Sequence, residues 1–145
     1  MVSEGGDGPE SRLGYLLKHA LFRYTRLNDD ALAALGIDGR ELGILFAVAD
    51  GEPRSQQEIA ARLDVDRTTM VAMLDGLESK GIVTRRPHPD DRRRNVVVMT
   101  DDGSRLLTRA REVSDKVERR FFASLSTTEA RTFRAALSAV VADAG

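Results

Sequence analysis

Apolar residues along the chain recur mostly at helical spacing, with one segment of strand character between the fourth and fifth stretches. From about Ser11 to Leu35, the positions Leu13, Leu16, Leu17, Ala20, Leu21, Tyr24 and Leu27 mark one face of a long helix, which Gly36 ends. Asp38 stands three residues before Glu41 as a capping pair. Leu42, Leu45, Phe46 and Ala49 then stripe a second helix, broken by Asp50-Gly51-Glu52-Pro53. Ser55-Gln56-Gln57-Glu58 reads as a capping box, with the Ser55 side chain on the Glu58 amide and the Glu58 carboxylate reaching back to the Ser55 amide. It opens a short third helix with Ile59, Ala60 and Leu63 inward, and Asp66 caps a fourth with Met70, Met73, Leu74 and Leu77 inward. Two short helices joined by about three residues form a helix-turn-helix. Ala60 is small enough to let them cross closely, and Asp64 in the turn can adopt the left-handed conformation at modest cost.

Gly81 ends the fourth helix, and the pattern then changes. Ile82-Val83-Thr84 and Val96-Val97-Val98 have strand character and flank a charged tip, so the segment reads as a β-hairpin that presents its loop. Residues Arg85 to Arg94 hold five Arg against two Asp, a local balance of +3 in a chain of formal net charge -1. Thr100 caps a fifth helix, in which Leu106, Leu107, Ala110, Val113, Val117 and Phe121 keep helical spacing over about five turns. Ser126-Thr127-Thr128-Glu129 is another capping box, and Phe133, Leu137, Val140 and Val141 stripe a sixth helix. The apolar faces of the first, fifth and sixth helices exceed what a small winged core covers, which implies a two-fold dimer in which they bury one another.

The predicted fold is therefore mainly α (α+β), a winged helix-turn-helix whose N- and C-terminal helices form a homodimerisation region. A flexible N-terminus, 1–10, precedes a single domain, 11–145. Within it 36–100 is the expected DNA-binding lobe, and 11–35 and 101–145 are the expected dimerisation helices. Composition narrows this picture. At 41% hydrophobic and 31% charged residues the chain is globular, with no apolar run near the roughly 20 residues of a membrane span and no apolar signal-peptide core, so a cytoplasmic protein is expected. There is no Cys and there are two His, His19 and His88, which excludes thiol redox sensing and argues against zinc or any other metal or cofactor. No His, phosphate-binding Gly loop or pocketed carboxylate pair forms a catalytic constellation, so no enzyme is expected. The slight overall acidity means that any nucleic-acid contact is local.

The N-terminal part of the second helix of a helix-turn-helix points side chains into the major groove, and Arg67, Thr68, Thr69 and Ala72 are the outward positions here. Arg pairs bidentately with guanine, and Thr offers a hydroxyl to base edges or a methyl to thymine. Ser55, Gln56 and Gln57, with the amides that start the third helix, suit phosphate oxygens. At the hairpin tip an Arg suits a narrow minor groove and its neighbours suit phosphates, while Asp91 is expected to accept from an Arg and fix the loop. Taken singly, the first-turn residues and the charged loop also read as solvated surface; it is their wing spacing that favours the functional reading.

The element order, together with Asp91-Arg92-Arg93-Arg94-Asn95-Val96-Val97-Val98-Met99-Thr100, resembles the MarR family of transcriptional regulators. That run is similar to the family's wing signature D-x-R-x-x-x-x-x-L-T, with Met99 in the Leu position. Asp66-Arg67-Thr68-Thr69 and Leu77-Glu78-Ser79-Lys80-Gly81-Ile82-Val83 likewise resemble the family's recognition helix and its exit into the wing. The resemblance implies Arg93 in the minor groove, Asp91 as its orienting partner, and Arg92 and Arg94 on phosphates. Ala72 and Gly76 stand where many relatives carry polar or basic side chains, so readout leans on Arg67 to Thr69 and on DNA shape. The resemblance further implies a ligand-responsive repressor, binding double-stranded DNA at a pseudo-palindrome as a homodimer, with a small aromatic or phenolic effector; His19, Arg23 and Phe46 are the candidate pocket residues. A winged-helix protein-interaction module without its own operator is the competing reading.

Overall fold

A computed structural model describes residues 8–143. Most of the predicted flexible N-terminus, residues 1–7, lies outside the described residues, and Pro9–Ser11 forms a single 3-10 turn. The elements that follow are α1 (Leu13–Leu32), α2 (Gly39–Ala49), β1 (Arg54–Ser55), α3 (Gln56–Arg62), α4 (Arg67–Ser79), β2 (Val83–Pro87), β3 (Asn95–Met99), α5 (Asp101–Phe121) and α6 (Thr127–Ala142). All six predicted helices are present, and two of the three predicted capping boxes form, the one expected at Ser55 and Glu58 being incomplete. Asp38 accepts from the Glu41 amide at 2.8 Å while Glu41 accepts from the Asp38 amide at 3.3 Å. Ser126 and Glu129 make the same reciprocal pair. Gly36 (φ 75°) and Gly81 (φ 74°) take the left-handed conformation that stops a helix, and Asp64 (φ 53°) takes it in the helix-turn-helix turn.

The chain divides into two compact units. One comprises the chain up to Leu27 together with Asp115 onward; the other is Asn28–Ser114. The second holds the helix-turn-helix and the hairpin, and its core is built from Ile44, Leu45, Ile59, Met70, Leu74, Leu77 and Val83. Its sheet is antiparallel, three-stranded and ordered β1-β3-β2. Strand β1 is too short for periodicity to reveal; Arg54 and Ser55 pair opposite Val97 and Val96. In the hairpin Val83 faces Met99, Arg85 faces Val97 and Pro87 faces Asn95. The strands thus run further toward the tip than Ile82 to Thr84 and Val96 to Val98. Arg85 and Arg86 belong to β2 and not to the loop, because the ladder continues until Pro87, which cannot donate to it.

The other unit pairs the N-terminal part of α1 with the C-terminal part of α5 and with α6. Tyr24 meets Phe121 edge-on at 5.7 Å, and Phe122 meets Phe133 at 5.7 Å. Even so, much of its apolar surface remains uncovered. Leu13 is 69% exposed, Leu21 62%, Val140 71% and Val141 73%. Among the described residues no helix is long and apolar enough to cross a membrane.

Candidate nucleic-acid interface

The recognition-helix candidate α4 starts where Asp66 accepts from the Thr69 amide at 2.8 Å. The same carboxylate also accepts from the Thr69 hydroxyl at 2.8 Å, so that side chain folds back on the cap instead of projecting outward. These two bonds to Thr69 hold the Asp66 carboxyl below its ordinary range. Arg67, Thr68 and Ala72 are exposed, and so is Val71, which sequence reasoning left out. Met70, Leu74 and Leu77 anchor the opposite face at no more than 1% exposure, leaving the first two turns of α4 free along one side.

At the start of α3 one expectation needs correcting. Ser55 is 1% exposed, accepts from the Glu58 amide at 3.1 Å and donates to the Glu58 carboxylate at 3.1 Å. Its hydroxyl is thus committed to the cap and is withdrawn from any phosphate. The reciprocal bond to the Ser55 amide is absent because Glu58 takes the hydroxyl while Ser55 is drawn into β1. Gln57 is exposed; Gln56 is half-buried, with Oε1 lacking a partner among the described residues.

The hairpin loop is ordered by its own main chain. His88 donates its amide to the Arg94 carbonyl at 2.8 Å, and Arg94 donates its amide to the Asp91 carbonyl at 3.0 Å. Asp91 Oδ1 accepts from the Arg93 backbone amide at 3.0 Å, so Asp91 shapes the turn through the main chain and not through a guanidinium. His88 Nδ1 accepts from the Asp90 amide at 3.0 Å. Arg92, Arg93 and Arg94 are exposed, and among the described residues none of their guanidiniums is in an ion pair. The base of the hairpin is pinned separately. Thr100 Oγ1 donates to the Gly81 carbonyl at 2.6 Å and accepts from the Gly103 amide at 3.0 Å, and the Thr100 amide donates to the Ile82 carbonyl at 3.1 Å. The threonine of the wing signature therefore caps α5 and closes the wing in one residue.

Of the three candidate pocket residues, Phe46 lines a cavity of about 520 Å³ with Gly43, Asp50, Arg62, Leu63 and Arg111. The Arg111 guanidinium lies 5.3 Å from the Phe46 ring centre, and Arg62 is paired with Asp50 at 2.6 Å. That pair holds the Asp50 carboxyl below its ordinary range, chiefly through the hydrogen bond. His19 and Arg23 are engaged elsewhere. His19 stacks on Tyr15 at 3.9 Å, while Arg23 lies over Phe121 and donates to the Arg120 carbonyl at 3.3 Å. Among the described residues no three His, Asp or Glu side chains come together as metal ligands.

Residues 35–94, the helix-turn-helix and most of the hairpin, match the family model of the MarR family. A MarR-family transcriptional regulator from Rhodococcus sp. RHA1 superposes with a TM-score of 0.86 at 25% identity, over 93% of this chain and 96% of that one. The transcriptional repressor CouR, bound to a 23-mer DNA duplex, superposes with a TM-score of 0.87 at 30% identity, over 96% of this chain and 99% of that one. The chain belongs to the MarR family. CouR from Rhodococcus jostii RHA1 has also been captured with p-coumaroyl-CoA, and in that state it matches at 26% identity with a TM-score of 0.82, over 93% of this chain and 95% of that one. The putative transcriptional regulatory protein for the hcr operon of Thauera aromatica is 36% identical over 90 residues, which cover 62% of this chain and 54% of that protein. This chain therefore spans about half the length of that relative.

Within the MarR-family frame, the residues missed from sequence are those whose importance is tertiary. Arg85 looked like one more loop arginine, yet it is turned toward α4, where it bonds Glu78 and Asp75. Gly103 sits in the first turn of α5, where a helix would ordinarily favour a side chain. Arg111 carries no local signal, and only the fold brings it over Phe46.

Proposed function

We propose that this MarR-family chain is a sequence-specific DNA-binding transcriptional regulator that acts as a homodimeric, ligand-responsive repressor on a pseudo-palindromic operator in the cytoplasm. The observation that carries this reading is the pairing, in one compact unit, of an outward-facing first half of α4 with a hairpin tip whose three consecutive guanidiniums stand free of ion pairs among the described residues. Three exposed guanidiniums without carboxylate partners are suited to phosphate and minor-groove oxygens.

In this reading Arg67 and Thr68 meet base edges, with Val71 and Ala72 offering apolar surface to thymine methyls and Thr69 holding the cap. Gln56 and Gln57 face phosphates. Arg93 enters the minor groove, Arg92 and Arg94 meet phosphates, and Asp91 keeps the turn in shape for them. The uncovered leucines and valines of α1 and α6 become the dimer contact, which places two recognition helices about one helical turn, roughly 34 Å, apart. CouR, whose chain is similar over nearly its whole length, supports both the repressor and the effector assignments. The effector is a small aromatic anion in the cavity beside Phe46, with the ring on Phe46 and the negative charge toward Arg111.

The test is a salt titration of binding to DNA from upstream of the protein's own gene, paired with footprinting. Affinity is expected to fall by about 10³ or more between 50 and 200 mM salt if some six phosphates are neutralised. Arg93→Ala should weaken binding by ~1–3 kcal/mol. A flat salt response with no protected palindrome would overturn the reading and favour a module for protein contact.

A further inference from the structure

The hairpin carries five arginines between 85 and 94, and one of them behaves unlike the rest. Arg85 lies opposite Val97 in the β2-β3 ladder and two residues from Val83, so it shares the inward face with two side chains at 2% and 0% exposure. Its own side chain is 19% exposed. The guanidinium Nη2 bonds Asp75 Oδ1 and also reaches Glu78 Oε1 at 3.3 Å, while the Arg85 backbone amide donates to Glu78 Oε2 at 3.0 Å. Asp75 and Glu78 are one turn apart on α4 and therefore project from neighbouring positions.

Two carboxylates on a recognition helix call for an explanation, since Asp75 and Glu78 side chains are 59% and 41% exposed and would repel a phosphate backbone. Arg85 offsets one of their two charges. It also makes a planar, multiply bonded link between the second half of α4 and the start of the wing, a geometry that restrains orientation as well as separation. Elsewhere the wing is tied to the body by β1, whose Arg54 and Ser55 pair with Val97 and Val96, and by Thr100, which holds Gly81 and Ile82. Those ties hold the base of the sheet; the Arg85 link adds a direct restraint between β2 and the second half of α4.

We infer that Arg85 is a positioning residue that contacts no DNA itself and sets the angle between recognition helix and wing through Glu78 and Asp75, so that both reach their grooves together. The inference rests on the DNA-binding reading above, and it assigns Glu78 and Asp75 a favourable part in binding despite their charge.

The experiment measures the affinity of the full-length protein for the upstream fragment by fluorescence anisotropy, across a salt series. The proteins are wild type, Arg85→Gln, Glu78→Gln, the double variant, and Arg93→Ala in both the wild-type and Arg85→Gln backgrounds. Arg85→Gln should weaken binding about tenfold. Glu78→Gln, which removes a negative charge beside the DNA, should nevertheless weaken it too, and the double variant should be no worse than Arg85→Gln alone. In the Arg85→Gln background Arg93→Ala should cost much less than it does in wild type, because a misaimed wing has already lost its groove. A phosphate-contacting Arg85 gives the opposite pattern: Glu78→Gln strengthens binding, the Arg93→Ala loss is undiminished, and the salt slope drops by about 1. That pattern, or an unchanged affinity of Arg85→Gln, overturns the inference. Circular dichroism melts identify any variant that fails to fold; Glu78 is on the helix exterior, so Glu78→Gln alone still decides the sign. If wild type itself does not bind at low salt, the DNA-binding reading fails, and this inference falls with it.

Discussion

Replacing Gly103 by alanine should damage this protein more than its position in an ordinary-looking helix suggests. A Cβ at residue 103 would lie 2.1 Å from the Ile82 carbonyl oxygen, 2.9 Å from Met99 Cγ and 3.0 Å from the Ile82 carbonyl carbon. Ordinary contact begins at 3.4 Å, so α5 and the entry to β2 must part by about 1.3 Å, the difference between 3.4 and 2.1 Å. The carbonyl cannot simply rotate away, because it accepts both the Thr100 amide and the Thr100 hydroxyl at 3.1 Å. The one Thr100 hydroxyl proton is shared with the Gly81 carbonyl at 2.6 Å, so separation breaks two full links: the Thr100 amide bond to Ile82, and the 3.0 Å bond from the Gly103 amide to Thr100 Oγ1. At ~1 kcal/mol for each bond lost, with ~1–3 kcal/mol of overpacking, the cost is offset by about 1 kcal/mol of improved helix propensity. A net loss of ~2–4 kcal/mol follows, a large share of the ~5–15 kcal/mol typical of a folded domain.

The measurement is urea unfolding followed by circular dichroism, with Gly76→Ala as the matched control. Gly76 is also helical, but nothing lies within 4 Å of where its Cβ would be, so alanine there should stabilise by ~0.5–1 kcal/mol. The two substitutions are chemically identical and should shift the midpoint in opposite directions. If Gly103→Ala unfolds within ~0.5 kcal/mol of wild type, the close approach of α5 to the wing base is not what the fold depends on.

Three further outcomes are expected. Asp64→Val should destabilise by ~1–2 kcal/mol, since Asp64 sits at φ 53° and a β-branched side chain tolerates that region poorly, whereas Asp64→Gly should be neutral or better in the same unfolding assay. Acid should destabilise the fold in a defined window: Asp66, Glu78 and Glu129 are all held below their ordinary values, by the bonds from Thr69, Arg85 and the Ser126 amide respectively. Depressed carboxyls contribute stability above their unfolded values and lose it as they protonate, so the thermal midpoint should decline as pH falls through about 4.5 and then 3.8 and below, and Asp66→Asn with Glu129→Gln should flatten that decline. Val140→Asp with Val141→Asp, at positions 71% and 73% exposed, should leave a folded monomer in sedimentation velocity; a dimer that survives both would place the subunit contact elsewhere.

The helices were legible in the sequence because each carries two independent local signals, a 3.6-residue stripe and a cap, and both act over a few residues of chain. The hairpin was legible as a hairpin, but its extent was not: strand ends follow the ladder, and nothing in Arg85-Arg86-Pro87 looks apolar enough to be strand. Strand β1 was invisible for the same reason, since two residues carry no period, and its existence follows from pairing opposite Val96 and Val97. The consequence reached Ser55, which reads as a free cap residue until β1 draws it into the sheet and buries it.

The arginines show most clearly where local reading stops. By composition Arg85, Arg86, Arg92, Arg93 and Arg94 are alike, and a count of charge treats them as one basic patch. Period two separates the first two, because it puts Arg85 on the face of buried Val83 and Arg86 on the other, while the loop residues beyond Pro87 belong to no face at all. An inward arginine is tolerated only with carboxylates to meet it. Glu78, seven residues earlier at the end of α4, and Asp75 one turn before it are those carboxylates. The signal was therefore present as an inward charge in need of a partner, and the partner became nameable only once Gly81 was known to turn the chain back on the helix it had just left. By that logic the local balance of +3 overstates what the wing offers a nucleic acid. Arg85 is committed to α4, and the guanidiniums left without an ion pair among the described residues of the hairpin are the three at the tip and that of the exposed Arg86 beside them.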